Sequence, residues 1–241
     1  MELNAVSRRS ATDEVHDQLL RQLISGDAPP GTRLPSERSL AEALGVSRPV
    51  VREALARLAA SGHVDVRQGD GTVVNDLTRT GGLDLLPHLL INAPDGAMVD
   101  PAVVRSVLEI RAYLGPWIAE QAAARSAPSL AESLPEALGA VVDAPTGPQQ
   151  QAAALAFWDQ LVRGADSIAM TLIFNGMRRV YEPMLGLVAD AAAAAEPAER
   201  YRALADAVMA GRPAAARAAA EELLAGITEV FGGLLDQMEG S

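Results

Sequence analysis

The stretch RLPSERSLAEALGVSRPVVREALARLAASGHVDVRQGDGTVV, residues 33–74, decides the fold of the first third of the chain. Ser36 and Ser47 each precede a run of apolar residues at helical spacing, and only a short break separates the two runs. Small polar residues of this kind cap helix N-termini, and Pro49 falls in a first helical turn, where its missing N–H costs little. The pattern therefore predicts two helices joined by a tight turn.

The residues on either side complete a larger motif. Upstream, SATDEVHDQLLRQLISG (residues 10–26) has a capping residue, acids in the first turn and apolar residues at helical spacing. Downstream, residues 63–68 and 71–74 alternate between apolar and polar around a glycine-containing turn, which is typical of a β-hairpin. Three helices closed by a two-stranded hairpin form a winged helix-turn-helix.

The start of the third helix carries candidate DNA contacts. Arg48 and Arg52 lie one turn apart and therefore project from the same face. A recognition helix reads bases with its N-terminal residues, and arginine on guanine is the commonest specific contact. Ser47 and Val50 suit a phosphate or a thymine methyl group, and Arg38 can reach the DNA from the preceding helix. The alternative is that the two arginines are ordinary solvated charges.

The overall charge argues in the opposite direction. The net charge is −11, and phosphate needs cations. The charge is uneven, however, because residues 1–77 hold 9 arginines against 11 acidic residues. A nearly neutral first third can still present its arginines on one face.

Several classes of protein are disfavoured. The absence of cysteine excludes disulfides and thiolate metal sites, and no apolar run is long enough for a membrane span or a signal peptide. No Ser/His/Asp set or phosphate loop is present, so an enzyme is not expected. We expect a soluble cytoplasmic protein without membrane association and without a cofactor.

A polar, glycine-containing segment, residues 75–82, marks a domain boundary. The sequence predicts a DNA-binding domain over residues 1–76 and a second domain over residues 77–241. Beyond a short helix at 83–90, the second domain consists of helical runs without an alternating strand pattern. The predicted fold is therefore mainly α, with a winged helix-turn-helix followed by an all-helical bundle that acts as an effector and dimerisation domain.

Residues 10–74, with the motif LPSER followed by LGVSR and VREAL, resemble the DNA-binding domain of the GntR family of bacterial transcription regulators. The resemblance implies a homodimer on a palindromic stretch of double-stranded DNA, with three arginines on the operator and a wing-tip glycine in the minor groove. The residues and the resemblance together assign the DNA contacts to Arg38, Ser47, Arg48, Pro49, Val50, Arg52, Gln68 and Gly69.

An all-helical second domain points to the FadR-like branch of that family. Residues 80–90, 107–123 and 157–184 resemble the fatty-acid regulator type within it, which implies that long-chain acyl-CoA binds inside the helical domain and releases the DNA. Another group in this branch binds a metal through one Asp and three His. This chain has three histidines and none after His88, so no metal site is expected.

A pocket for an acyl chain needs an apolar lining and few polar groups for the head. Arg111 could bind a carbonyl or a phosphate, or it could form a salt bridge with Glu109 or Asp159. Two alternatives remain for the domain: an effector that is another small organic acid, or a dimerisation scaffold without a ligand. The candidate ligand contacts are Arg111, Asn175, Tyr181 and Phe231. Asn175 could equally be exposed, and a tyrosine such as Tyr181 is more often simply a core or interface aromatic.

Overall fold

The computed structural model describes residues 10–67, 71–90 and 100–239, and for residues 180, 183–188, 190 and 234–239 it describes the backbone alone. By their internal contacts the residues form two compact units, Met1–Met98 and Val99–Ser241, which we call the N-terminal unit and the helical unit. The N-terminal unit contains α1 (Ala11–Ile24), α2 (Glu37–Leu44), α3 (Arg48–Ala60), β1 (Val64–Arg67), β2 (Gly71–Val74), α4 (Leu77–Thr80), a 3-10 turn (Leu83–Leu85) and α5 (Leu86–Leu90). The helical unit contains α6 (Pro101–Val142), α7 (Gly147–Gly164), α8 (Ile168–Ala195), α9 (Ala198–Met209) and α10 (Pro213–Glu239).

The predicted capping residues begin the first three helices. Ser10 forms a capping box with Asp13, and the Ser36 hydroxyl accepts from the Ser39 amide at 3.1 Å. Ser47 occupies the N-cap position of α3, but its side chain makes no capping hydrogen bond. Gly45 ends α2 in the left-handed region, at φ 66°, which glycine adopts without strain and which makes the turn into α3 possible. The helix-turn-helix is therefore built as the sequence predicts.

The core of the N-terminal unit lies between α1 and α3. Each helix contributes one apolar face, and fully burying a leucine or valine side chain is worth about 1.5–3 kcal/mol. Arg57 adds a polar link between the two helices, because its guanidinium donates to Asp13 of α1 at 2.7 Å. The buried side chains from these two helices are Val15, Leu19, Leu20, Leu23, Val51, Ala54, Leu55 and Leu58.

The wing is a two-stranded antiparallel hairpin, as predicted. Val64 pairs with Val74 and Arg67 with Gly71. The extended segment before α2 pairs with β2, because the Leu34 amide donates to the Thr72 carbonyl at 2.8 Å. Its tip, residues 68–70, lies outside the described residues, so the wing-tip contacts stay a prediction.

Residues 77–80 differ from the sequence-based expectation, whereas the short helix predicted at 83–90 is present as the 3-10 turn and α5. Instead of an irregular linker, Leu77–Thr80 form a helical turn whose N-cap, Asp76, accepts from the Thr78 amide at 3.1 Å. Leu85 is buried in the N-terminal core, and Leu77 and Leu89 pack against it. By contacts these residues therefore join the N-terminal unit, whereas the sequence pattern places the boundary after residue 76.

The helical unit is a bundle in which α6 packs against α7, α9 and α10. α6 contains a break at Ser126, where φ is −136° and ψ is 17°, so it consists of two helical segments that meet at this residue. At the centre, the rings of Phe157 and Tyr201 meet edge to face with centroids 5.3 Å apart. Leucine, valine and alanine fill most of the remaining core, as the low aromatic content requires. Among the described helices, none has the length and apolar character needed to cross a membrane.

Candidate functional site

The first candidate site is the start of α3. Ser47, Arg48, Pro49 and Arg52 are exposed there, and Val50 is half-buried. The Arg48 and Arg52 side chains are 59% and 65% exposed, so their guanidinium groups can reach an external partner. We call these five residues the α3 surface.

Glu37, in the first turn of α2, holds both arginines of the α3 surface. The Arg52 Nε lies 3.2 Å from each carboxylate oxygen and its Nη2 lies 2.9 Å from Oε2, while the Arg48 Nη2 lies 3.9 Å from Oε2. The hydrogen bonds from Arg52 lower the pKa of Glu37, so this carboxylate stays ionised at neutral pH. Sequence reasoning missed Glu37, because its approach to residues 11 and 15 positions later depends on the tight turn between the helices.

Arg38 is placed differently from the other two arginines. Its side chain is 75% exposed, and its Nε lies 3.2 Å from Glu42 on the same helix. An exposed pair four residues apart on one helix is worth only a few tenths of a kcal/mol. Arg38 can therefore leave Glu42 for an external anion at little cost.

The second candidate site is a pocket between α6, α7, α8 and α10 of the helical unit. Its cavity volume is about 70 Å³. The described lining is mostly apolar and consists of Val107, Arg111, Leu114, Gly115, Ile118, Gln151, Ala154, Leu155, Trp158, Met170, Ile173, Phe174, Met177, Arg178, Tyr181 and Leu224.

Arg111 anchors the polar side of this pocket through a buried ion pair. Its Nη2 lies 2.5 Å from Oε1 of Glu196, whose side chain is completely buried, and the Tyr201 hydroxyl donates to the other oxygen at 2.6 Å. Burial, the largest single influence, lowers the pKa of Arg111, but the charge of Glu196, the two neighbouring tyrosines and the hydrogen bond to Glu196 together outweigh it and the pKa is raised. The partner is therefore Glu196, which sequence reasoning missed, and neither Glu109 nor Asp159.

Tyr181 lies beside the same guanidinium. The Arg111 guanidinium carbon lies 5.7 Å from the centroid of the Tyr181 ring, which is cation–π distance. Burial raises the pKa of Tyr181 to about 12, so its hydroxyl stays protonated and donates to Oε1 of Gln151 at 2.9 Å. Gln151 itself is buried, and a buried glutamine that orients a tyrosine hydroxyl has no signature in the sequence.

The other predicted ligand contacts lie apart from the pocket. Asn175 is exposed, and Phe231 is buried but is not part of the pocket lining. Phe174 and Met177, on the same helix as Asn175, do line the pocket. Across the described ranges, no group of three or more His, Asp or Glu side chains is arranged to hold a metal ion.

Two family models match the chain in the order of the two units. Residues 11–74 match the model described as bacterial regulatory proteins, gntR family. Residues 106–226 match the FCD domain. The first match spans the helix-turn-helix and the wing, and the second spans most of the helical unit.

Curated proteins and solved structures agree with these matches. The HTH-type transcriptional regulator Mce2R of Mycobacterium tuberculosis is 48% identical over 225 residues, covering 93% of this chain and 92% of that protein. The fatty acid metabolism regulator protein of Edwardsiella ictaluri is 32% identical over 181 residues, covering 73% and 71%. The structure of Lar, which controls expression of the Listeria monocytogenes agr system, has a TM-score of 0.55 at 19% identity over 95% of this chain and all of Lar, and supports the fold alone.

The buried ion pair gives a prediction about stability. Glu196→Gln keeps the shape of the side chain but leaves the charge of Arg111 without compensation, and removing one partner of a buried pair costs about 3–5 kcal/mol. We therefore expect the free energy of unfolding of the helical unit, measured by urea denaturation, to fall by about that amount. Glu221→Gln, which removes a carboxylate from an exposed pair with Arg217, is the control and should have no measurable effect. Equal effects of the two substitutions would contradict the structural role of Glu196.

Proposed function

The chain belongs to the GntR family of bacterial regulatory proteins, and from this premise we propose that it leaves its operator when a long-chain acyl-CoA enters the pocket of its helical unit. The coarser statement is plain: the protein is a DNA-binding transcriptional regulator with an FCD effector domain, in a family of regulators and not of enzymes. We place its site of action in the cytoplasm, where bacterial DNA lies. One observation carries the DNA-binding half of the proposal, namely the exposed arginine pair that Glu37 holds at the start of α3.

The arrangement of that pair supports base readout. Glu37 occupies the Nε edge of the Arg52 guanidinium, so its other edge remains available for a guanine. An arginine that is already held loses less side-chain freedom when it binds, which favours a defined contact over a mobile one. We propose that Arg48 and Arg52 read bases, with Ser47, Pro49 and Val50 against the backbone or a thymine methyl.

Two further parts of the unit complete the proposed interface. Arg38 is exposed in the first turn of α2 and suits a phosphate. Gln68 and Gly69 remain proposed contacts at the wing tip, which lies outside the described residues. A single winged unit reads only a few base pairs, so we propose a homodimer on a palindromic operator.

Exposed apolar side chains in the helical unit are consistent with a homodimer. Ile168 and Leu172 lie one turn apart on α8 and are 77% and 63% exposed. Large apolar residues next to each other on a surface often mark an interface between proteins. We propose this pair as part of the contact between the two copies.

The effector half of the proposal is supported by the pocket. It is apolar, it has a few convergent polar groups, and it lies in the unit that matches the FCD domain. One relative is named for fatty acid metabolism, and an acyl chain suits such a lining. One water needs about 10–15 Å³ of cavity volume, so the pocket of about 70 Å³ has room as it stands for only about five to seven waters.

The small size has a consequence for the mechanism. A long acyl chain would enter only as the surrounding helices separate, so it would bind the opened bundle better than the closed one. Such a differential affinity is what a ligand needs in order to shift a protein between two states. A small organic acid, the second candidate, would fit without this opening, and a pure dimerisation scaffold would need no pocket.

DNA binding should fail first at the arginines of the α3 surface. Arg48→Ala and Arg52→Ala should each weaken binding to the operator, found by selection from random duplexes, by about ten- to a hundredfold, because each removes a base contact. Fluorescence anisotropy with labelled duplexes measures the change. Arg202→Ala, an exposed arginine of the helical unit, is the control. Operator binding at the wild-type affinity in both α3 variants would refute the base-reading assignment.

Glu37 should affect specificity more than affinity. Glu37→Gln releases Arg52 and removes a negative charge near the DNA, so we expect operator affinity to fall about three- to tenfold while affinity for a scrambled duplex rises. Titrations of both duplexes at several salt concentrations give the two numbers. Glu53→Gln removes the same charge from α3 itself, where it pairs with Arg57. If Glu37→Gln and Glu53→Gln change the affinity for the operator and for the scrambled duplex by the same factors, Glu37 acts through its charge alone.

The effector proposal is tested by ligand panels on the intact protein. We expect long-chain acyl-CoA to raise the melting temperature and to weaken operator binding by about 5- to 150-fold, the usual range of coupling between two sites. Coenzyme A alone is the control. Release by a small organic acid but by no acyl-CoA would favour the second candidate. No response to any compound, with the operator bound normally, would favour the scaffold.

A further inference from the structure

Three buried N–H groups, on residues that line the pocket, have no hydrogen-bond partner among the described residues. They are Nη1 of Arg111, Nε2 of Gln151 and Nε1 of Trp158. The Gln151 and Trp158 side chains are only 1% and 6% exposed, and all three residues line the pocket. Unpaired buried polar groups are rare in folded proteins, because burial removes their hydrogen bonds to water. Three of them on one pocket indicate a group that binds there.

The complementary acceptors around these donors are already occupied. Oε1 of Gln151 accepts from the Tyr181 hydroxyl, and the two oxygens of Glu196 accept from Arg111 and Tyr201. Each of these acceptor oxygens therefore already has a donor, whereas the three N–H groups have no acceptor among the described side chains. A matching ligand group accepts hydrogen bonds and does not itself need to donate any.

We propose that Arg111, Gln151 and Trp158 form a subsite that binds the carbonyl oxygen of an uncharged acyl group, such as an ester, thioester or ketone, in preference to a carboxylate. This proposal rests on the proposed function, in that it places the effector in the same pocket, and it names the group that the pocket reads. We call the three residues the carbonyl subsite.

The charges around the pocket favour the uncharged group. Glu196 already neutralises Arg111, and Arg178, at the edge of the pocket, lies 2.6 Å from Glu182 and 3.9 Å from Asp159. Both arginines that line the pocket are therefore already paired with carboxylates of the protein. A carboxylate ligand would lose its hydration without gaining a free cation, whereas a carbonyl oxygen loses much less.

The same charges bear on the rest of the ligand. Residues 99–241 hold 10 arginines and 18 acidic residues, so the helical unit repels the phosphates of coenzyme A. The carbonyl subsite reads only the acyl carbonyl. A neutral thioester that lacks the nucleotide should therefore bind at least as well as the coenzyme A thioester of the same chain.

Calorimetry with compounds of one chain length tests the proposal. The probes are the decanoyl thioester of N-acetylcysteamine, the methyl ketone of matching length, ionised decanoate and decanoyl-CoA. We expect the neutral thioester and the ketone to bind at least about tenfold more tightly than decanoate, since decanoate must lose the hydration of its charge. Decanoate binding as tightly as the two neutral compounds would overturn the proposal.

The two tryptophans of the chain allow a matched pair of variants, one in the carbonyl subsite and one outside the pocket lining. Trp158→Phe removes one donor of the carbonyl subsite and keeps an aromatic ring, so affinity for the thioester and the ketone should fall about fivefold. Trp117→Phe makes the same change in the chain's other tryptophan, which is not part of the pocket lining, and should leave both affinities unchanged. Equal effects of the two substitutions would overturn the subsite. The ranking of the four probes tests it on the wild-type protein even where Trp158→Phe does not fold.

Two failures are distinguishable. If decanoyl-CoA binds while the neutral thioester and the ketone do not, the carbonyl subsite is overturned and the acyl-CoA proposal stands. If none of the four probes binds, and acyl compounds of greater chain length do not bind either, both the proposed effector and the carbonyl subsite are refuted.

Discussion

At the end of α8, the carboxylate of Glu196 accepts from a guanidinium of α6 and from a hydroxyl of α9. A buried charge of this kind is tolerated only where its partners are in place, because desolvation otherwise outweighs the attraction. The pair therefore requires that three helices meet in one arrangement. Once Arg111 is fixed in this way, the Tyr181 ring stacks beside it and Gln151 is oriented in turn. The polar side of the pocket depends on this single ion pair.

The N-terminal unit could be predicted almost completely from its sequence, because its signals are local. Ser10, Ser36 and Gly45 mark helix ends within a few residues, and the spacing of Arg48 and Arg52 on one face follows from helix geometry alone. The short helical turn Leu77–Thr80 was missed, since a polar segment with two following glycines is typical of a linker. Leu85 packs on the N-terminal core through contacts between residues far apart in the sequence, which a local pattern does not reveal. Because of this packing, the N-terminal unit as defined by contacts extends beyond residue 76.

The helical unit was predicted at the level of its helices but less well at the level of its site. Arg111 and Tyr181 line the pocket, yet their partners Glu196 and Gln151 lie 85 and 30 residues away. Such pairs depend on how the helices pack, and periodicity gives only the face of each helix. Asn175 illustrates the same limit, because a polar residue next to Phe174 in the sequence points to solvent while its neighbour lines the pocket.

The break in α6 has a mechanical meaning. An unbroken helix of 42 residues would be about 60 Å long, and a displacement at any point along it would move both of its ends. Ser126 divides this helix, and the pocket residues of α6, from Val107 to Ile118, all lie on the segment before it. The segment of α6 that lines the pocket can therefore tilt without the segment after Ser126 following it as one rigid body. The free end of that segment, at Pro101, is also the end from which the chain continues back to the N-terminal unit, so a tilt caused by a ligand would displace the attachment point of that unit and leave residues 127–142 in place.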